Sequence, residues 1–348
     1  MITKEKIDKV LASYDNKKIS IATICSHTAL QLFHGARQEK LHTIGICTAA
    51  RRKVYEAFPR ACPDEFIIVD DPKELPIHEL AEKNAIVIPH GSLVEYSGKL
   101  IDSAEIPILG NRHSLAWERD RLKMYEWMKT AGLEIPALLD PDKIDRPCVV
   151  KLAGAKGGRG YAIVHSPEEF HEKFEGQNVI VQEYLIGARA YPHYFYSPLS
   201  KDGYRASEGH IELMSIDRRF ESNIDESYRT TLAGIPIKPS FTVVGNEGLV
   251  VRESLLGDIM EMGKNVAEAA DKLFGGIPGP FCIETIVDEN LQFFTFEISA
   301  RIVAGTNLYP EGSPYSVYSF DEPMSTGRRI AREIKTAAKA GKLGKICY

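Results

Sequence analysis

The sequence predicts an α/β N-terminal third built on a small parallel sheet, followed by an α+β region. Three observations predict it. Short apolar runs alternate with helical patterns over roughly the first 110 residues, as in parallel sheets with covered faces. A glycine-rich loop, Lys151-Leu-Ala-Gly-Ala-Lys-Gly-Gly-Arg-Gly160, joins two apolar runs. Two apolar segments near the C-terminus each carry one glutamate, Glu284 and Glu297, on either side of an Asp288-Glu289-Asn290 turn. The expected division is residues 1–112 as an N-terminal α/β domain and 113–348 as the α+β part. The latter splits into a glycine-loop subdomain at about 135–195 and a metal-binding subdomain at about 196–348.

Taken in order, Ile19–Cys25, His42–Thr48, Phe66–Val69 and Ala85–Pro89 read as strands, with a helix over Thr28–Glu39. Ligands of such sheets bind beyond the carboxyl ends of the strands. Ser26-His27-Thr28 and His90-Gly91-Ser92 are the two loops expected there. The Arg51-Arg52-Lys53 run reads as a solvated face, with a phosphate contact as the alternative. Ser114 to Ala131 reads as one helix, N-capped at Ser114 and stopped at Gly132. On one continuous helix Trp117 and Trp127 would lie on opposite faces. Strands follow at Cys148–Leu152, Tyr161–His165 and Val179–Tyr184, with a short helix at Pro167–Phe174. Tyr191–Tyr196 and His210–Ile216 continue as strands, the aromatic stretch serving core and interface packing. A long helix over Leu255–Phe274, the glutamate hairpin and a basic helix at Arg328–Ala340 complete the chain.

Composition narrows the function. The 348 residues carry a net charge of −5, which argues against a nucleic-acid partner. No run of about 18 apolar residues marks a membrane span, and the charged N-terminus lacks the apolar core of a signal peptide. Six scattered cysteines without a CxxC pair suit a reducing cytoplasm.

The glutamate pair carries the strongest chemical signal. Two buried carboxylates side by side repel and resist desolvation unless a cation lies between them. Mg²⁺ (or Mn²⁺) held by Glu284 and Glu297 and by substrate phosphates is the expected solution. Arg301, four residues after Glu297, would point at the bound anion. In the glycine loop Gly157, Gly158 and Gly160 let main-chain amides approach phosphates, while Lys151, Lys156 and Arg159 add charge. The spacing matches neither GxxxxGK[ST] nor GxGxxG, so a flap over nucleotide phosphates competes with a plain hairpin turn. Glu183, Tyr184 and Leu185 end an apolar strand, whose main chain can meet an adenine edge, and Glu183 or Glu221 could bind ribose hydroxyls. Arg218 and Arg219 read equally as anion partners or surface salt bridges.

This ordered set resembles the ATP-grasp superfamily from about Ser114 to Arg301. Ser299 stands where that superfamily usually places a metal-ligating Asn. Ser26-His27-Thr28, His90-Gly91-Ser92, Lys151–Gly160, Thr242-Val-Val-Gly-Asn-Glu247, Arg252-Glu-Ser-Leu-Leu256 and Glu297-Ile-Ser-Ala-Arg301 narrow the resemblance further. Together they look like the archaeal-type formate-dependent ligase family of purine synthesis, which also has Ser at the Ser299 position. The resemblance implies formylation of 5-aminoimidazole-4-carboxamide ribonucleotide (AICAR) with ATP and formate. It implies that His27, Ser92 and Asn246 contact the nucleotide, that Glu284 and Glu297 hold the metal, and that Arg301 and Lys151 are catalytic. A homo-oligomer is expected. A paralogous ligase with another carboxylate or amine, and a non-catalytic nucleotide-binding regulator, are the alternatives.

Overall fold

A computed structural model describes residues 1–71, 73–156, 159–235, 240 and 242–348, with the main chain alone at 152–156, 159, 160, 224, 225 and 228. The N-terminal part alternates helix and strand: α1 (Lys4–Ser13), β1 (Ser20–Ile24), α2 (Ala29–Gln38), β2 (His42–Cys47), α3 (Ala49–Glu56), β3 (Glu65–Ile68), α4 (Ile77–Glu82), β4 (Ala85–Val87) and α5 (Gly91–Ser103). The four strands pair in parallel in the order β3-β2-β1-β4. β1 and β4 are buried along their whole length, as expected for a sheet covered on both faces. The Arg51-Arg52-Lys53 run lies exposed on α3, where Arg52 pairs with Glu56 one turn on.

The region expected as one helix is two, α6 (Arg112–Arg119) and α7 (Arg121–Thr130). Asp120 breaks them with extended backbone, and its carboxylate accepts from the Leu122 and Lys123 amides, so an aspartate N-cap inside an apolar pattern restarts the helix. Asn111, not Ser114, caps α6, accepting from the His113 amide. The tryptophan expectation fails too, because ten residues of a helix leave the two side chains only about 80° apart. Trp117 and Trp127 both pack on Phe274, at ring-centroid distances of 5.2 and 4.9 Å.

The remainder forms two antiparallel sheets. β5 (Cys148–Lys156), β6 (Arg159–Val164) and β7 (Val179–Glu183) pair in the order β6-β5-β7, with α8 (Pro167–Phe174) packed beside them. The larger sheet contains β8 (Ala188–Ser197), β9 (Tyr204–Ala206), β10 (Gly209–Glu221), β11 (Val243–Gly248), β12 (Gly279–Val287) and β13 (Phe293–Ser299). Its order is β11-β10-β8-β12-β13, with β9 on β10. Between β10 and β11 lies α9 (Ile224–Leu232), and α10 (Leu256–Phe274) covers the sheet face opposite the site described below. Tyr194 and Phe281 stack at 4.9 Å beneath α10, where the Tyr194 hydroxyl donates to the Ile259 carbonyl at 2.7 Å. The aromatic stretch 191–196 is therefore interior packing and offers no interface surface.

α11 (Thr326–Lys339) returns to the N-terminal part and packs on α2. Gly35 and Gly327 meet there backbone to backbone. Glu39 at the end of α2 accepts from Arg328, Arg332 and Lys335 of α11 at 2.6 to 3.1 Å. Among the described residues no helix is long and apolar enough to cross a membrane.

Burial alone would raise the Glu39 carboxyl, but hydrogen bonds from Arg328, Arg332 and Lys335 outweigh it and hold the group at about 2. Its stabilisation is thus present above the unfolded carboxyl range near pH 4.5 and is lost as pH falls toward 2. Glu39→Gln should lower unfolding free energy at pH 7 by about 2 kcal/mol. Denaturant titrations at pH 7 and pH 2.5 should show that deficit shrinking in acid.

Candidate functional site

Strand alternation gathers the site on one face of the larger sheet. β8 presents Arg189, Tyr191 and His193; β10 presents Asp217, Arg219 and Glu221; β11 adds Asn246, directly opposite Arg219. β12 supplies Glu284, and the hairpin register places Glu284 opposite Glu297 of β13, as the sequence predicts. A bulge follows Glu284, a device that re-aims side chains next to functional sites.

Glu284 is 1% exposed, and burial lifts its carboxyl to about 7. Arg219 opposes that rise and Glu297 adds to it. Arg219 ion-pairs with Glu284 Oε1 and lies over the Tyr191 ring at 4.8 Å. Arg219 is therefore no surface salt bridge: it is a partly buried partner of Glu284 at the cleft. Arg218 is the surface residue, paired with Glu247 at 2.5 Å. Ser299 Oγ also reaches Glu284 Oε1, at 3.4 Å, while Glu284 Oε2 is buried without a hydrogen-bond partner among the described residues. A buried carboxylate oxygen lacking a donor, opposite a second carboxylate, fits a hard divalent cation. Among the described residues no group of three or more His, Cys, Asp or Glu gathers, so phosphate oxygens and water would complete such a shell.

The small sheet faces this surface across a cleft partly open to solvent. Lys151, Glu183, Tyr184, Leu185, Glu221 and Glu297 line it, together with Arg189 and Arg219. Burial, with Arg121 nearby, lowers the Lys151 ammonium to about 8 against the pull of Glu297 and Glu284. Glu183 accepts from the Ala137 amide at 2.6 Å, and Glu221 pairs with Arg189 at 2.6 Å. Gly157 and Gly158 lie outside the described residues, and Lys156 and Gly160 are described only as strand main chain on β5 and β6.

The two N-terminal strand-end loops meet. Ser26 Oγ and Ser92 Oγ are 3.0 Å apart, and His27 stacks on His90 at 5.3 Å. His90 bonds the Ile24 carbonyl through Nε2 and accepts from the Leu93 amide through Nδ1, so it caps α5 and has one tautomer. A Cβ on Gly91 would lie 2.8 Å from His27 Nε2, so the stack needs glycine there. Burial, His90, Arg301 and Arg219 push His27 well below its usual range. His27 has φ of 55°, and Asn307 Nδ2 donates to its carbonyl at 3.0 Å. Ile302 bridges to His90, which brings Arg301 to this cluster. Arg301 Nε is held by Glu118 at 3.1 Å, and the same carboxylate accepts from the Ala300 amide at 2.8 Å. Sequence reasoning missed Glu118, Asn307 and Asp217; each acts through a contact distant in the chain and carries no local motif. Glu118→Gln leaves a partly buried guanidinium without its counter-charge, and should lower unfolding free energy by about 2 kcal/mol in denaturant titration. An unchanged midpoint would show that Glu118 does not hold Arg301.

Residues 169–347 match a family model described as "Domain of unknown function (DUF1297)" and residues 21–139 one described as "Protein of unknown function (DUF1246)". A protein of Methanococcoides burtonii named 5-formaminoimidazole-4-carboxamide-1-(beta)-D-ribofuranosyl 5'-monophosphate synthetase is 49% identical over 354 residues, 99% of each chain. The crystal structure of the IMP biosynthesis protein PurP from Thermococcus kodakaraensis superposes with a TM-score of 0.75 at 27% identity, covering 94% of this chain and 100% of that one. N5-carboxyaminoimidazole synthetase from Staphylococcus aureus, solved with ADP, shares the fold alone, with a TM-score of 0.61 at 15% identity over 91% of this chain and 77% of that one. The fold is ATP-grasp, and the chain belongs to the family of 5-formaminoimidazole-4-carboxamide ribonucleotide synthetases.

Proposed function

We infer that this chain is an ATP- and formate-dependent ligase that formylates the 5-amino group of AICAR, releasing ADP and phosphate. Near-full-length identity to synthetases named for that product carries the reading. The paired carboxylates beside the cleft between the two sheets supply its chemistry. Formate is a poor electrophile, because its charge is delocalised and hydroxide leaves badly. Its oxygen attacks the γ-phosphate, ADP departs, and formyl phosphate results. The AICAR amine then attacks the formyl carbon, loses a proton, and phosphate leaves.

In this reading the Tyr184 and Leu185 main chain meets the adenine edge, and Glu183 and Glu221 accept from ribose hydroxyls. Lys151, with Lys156 and the Gly157, Gly158 and Gly160 amides, orients the phosphates. Glu284 and Glu297 would hold Mg²⁺ or Mn²⁺, which when bound neutralises charge developing on phosphate oxygens. Arg301, fixed by Glu118, stabilises the transferring phosphoryl group and then the tetrahedral adduct. His27, Ser92 and Asn246 orient AICAR; positioning matters because its aromatic amine is a weak nucleophile. Division near residue 112 and self-association belong to the same proposal.

ADP release with Mg-ATP and formate should depend on AICAR, with formylated nucleotide detected by mass. ATP binding without stimulation by either substrate would move the chain to another acceptor. Glu297→Ala should cut ADP formation by about a hundred- to a thousandfold, and retained turnover would remove the metal assignment.

A further inference from the structure

Asn246 is the one proposed AICAR contact whose side-chain orientation is set by a buried carboxylate. Asp217 is 1% exposed. Its Oδ1 accepts from His193 Nε2 at 2.6 Å and its Oδ2 accepts from Asn246 Nδ2 at 2.7 Å. The space beside it is filled by main chain, since a Cβ on Gly305 would lie 2.2 Å from Asp217 Oδ1. A carboxylate only accepts, so the Asn246 amide must turn its NH₂ toward Asp217. Its carbonyl oxygen, which makes no hydrogen bond to a described residue, is then left as an acceptor. Asn246 shares its sheet face with Arg219 and Glu284, and β11 packs on the 304–308 turn whose Asn307 holds His27.

We propose that Asp217, braced by His193, is a positioning residue that locks Asn246 as a hydrogen-bond acceptor for the 4-carboxamide N–H of the substrate. It thereby selects the carboxamide over the corresponding 4-carboxylate. In AICAR the 5-amino and 4-carboxamide groups are adjacent on the ring. The amine donates to the carboxamide oxygen, which turns the amide N–H outward as the free donor. A 4-carboxylate offers only lone pairs there and would face the Asn246 oxygen lone pair to lone pair. A polar site built for a donor rejects an analogue lacking it far more strongly than an apolar pocket rejects a size difference. This inference rests on the AICAR reading and goes beyond it, because it names what excludes the neighbouring chemical class.

The test measures ADP release with AICAR and with the same ribonucleotide bearing a 4-carboxylate, alongside Mg-ATP affinity by calorimetry. Wild type should turn over AICAR and leave the carboxylate at least about a thousandfold slower in kcat/KM. Asp217→Asn frees Asn246 to flip. KM for AICAR should rise by about ten- to a hundredfold and discrimination should fall, with KM for ATP and formate within about twofold of wild type. His193→Gln, which keeps a donor to Asp217, should retain discrimination. If Asp217→Asn fails to fold, Asn246→Ala on the partly exposed β11 should lose discrimination in the same way. Unchanged discrimination in Asp217→Asn, or in Asn246→Ala where that variant replaces it, overturns the proposal. Wild type inert toward AICAR would instead overturn the AICAR reading.

Discussion

The repulsion between Glu284 and Glu297 is the constraint around which the rest of the site is arranged. A hairpin that sets two carboxylates in register, one of them fully buried, is unstable in isolation. The sheet answers from a distance. β10 delivers Arg219 to Glu284, and β5 of the other sheet delivers Lys151, whose charge both glutamates help to keep. Neither cation cancels the pair. Glu284 still sits near 7 with one oxygen unpartnered. A residual deficit of positive charge at a cleft wall is what a site for a phosphate-bound cation requires, so the electrostatic cost of the carboxylate pair and the proposed chemistry have one origin.

Local information explains what was legible in the sequence. The hairpin could be read because its strands, turn and charges fall within about twenty residues. The parallel strands could be read because burial on both faces writes continuous apolar runs. Arg219 was ambiguous because its position depends on how β10 registers against β8 and how β8 registers against β12, pairings that span tens of residues. The convergence of His27 with Ser92 needed the strand order that puts β4 beside β1. The helix break at Asp120 was missed for another reason: apolar periodicity continues through it, and only the capping hydrogen bonds reveal the restart. Both tryptophans, one on each helix, pack on Phe274.

The stretch after the second glutamate ties the two halves of the site together. Arg301 and Ala300 are held by Glu118 of α6, Ile302 bridges to His90, Gly305 lies against Asp217, and Asn307 fixes the left-handed His27. A segment of eight residues therefore joins the glutamate hairpin, the strand-end loops and the Asn246 support. A two-step ligase has reason for this arrangement. Its acyl phosphate must meet the amine before it meets water. Groups that handle the phosphate and groups that hold the acceptor gain from being fixed to one rigid segment rather than to separately moving sheets. The covalent continuity from Glu297 to Asn307 supplies that fixity at little further cost in ordering, because Ile298, Ser299, Ala300, Ile302, Val303 and Thr306 are already buried between the parallel sheet and the antiparallel one.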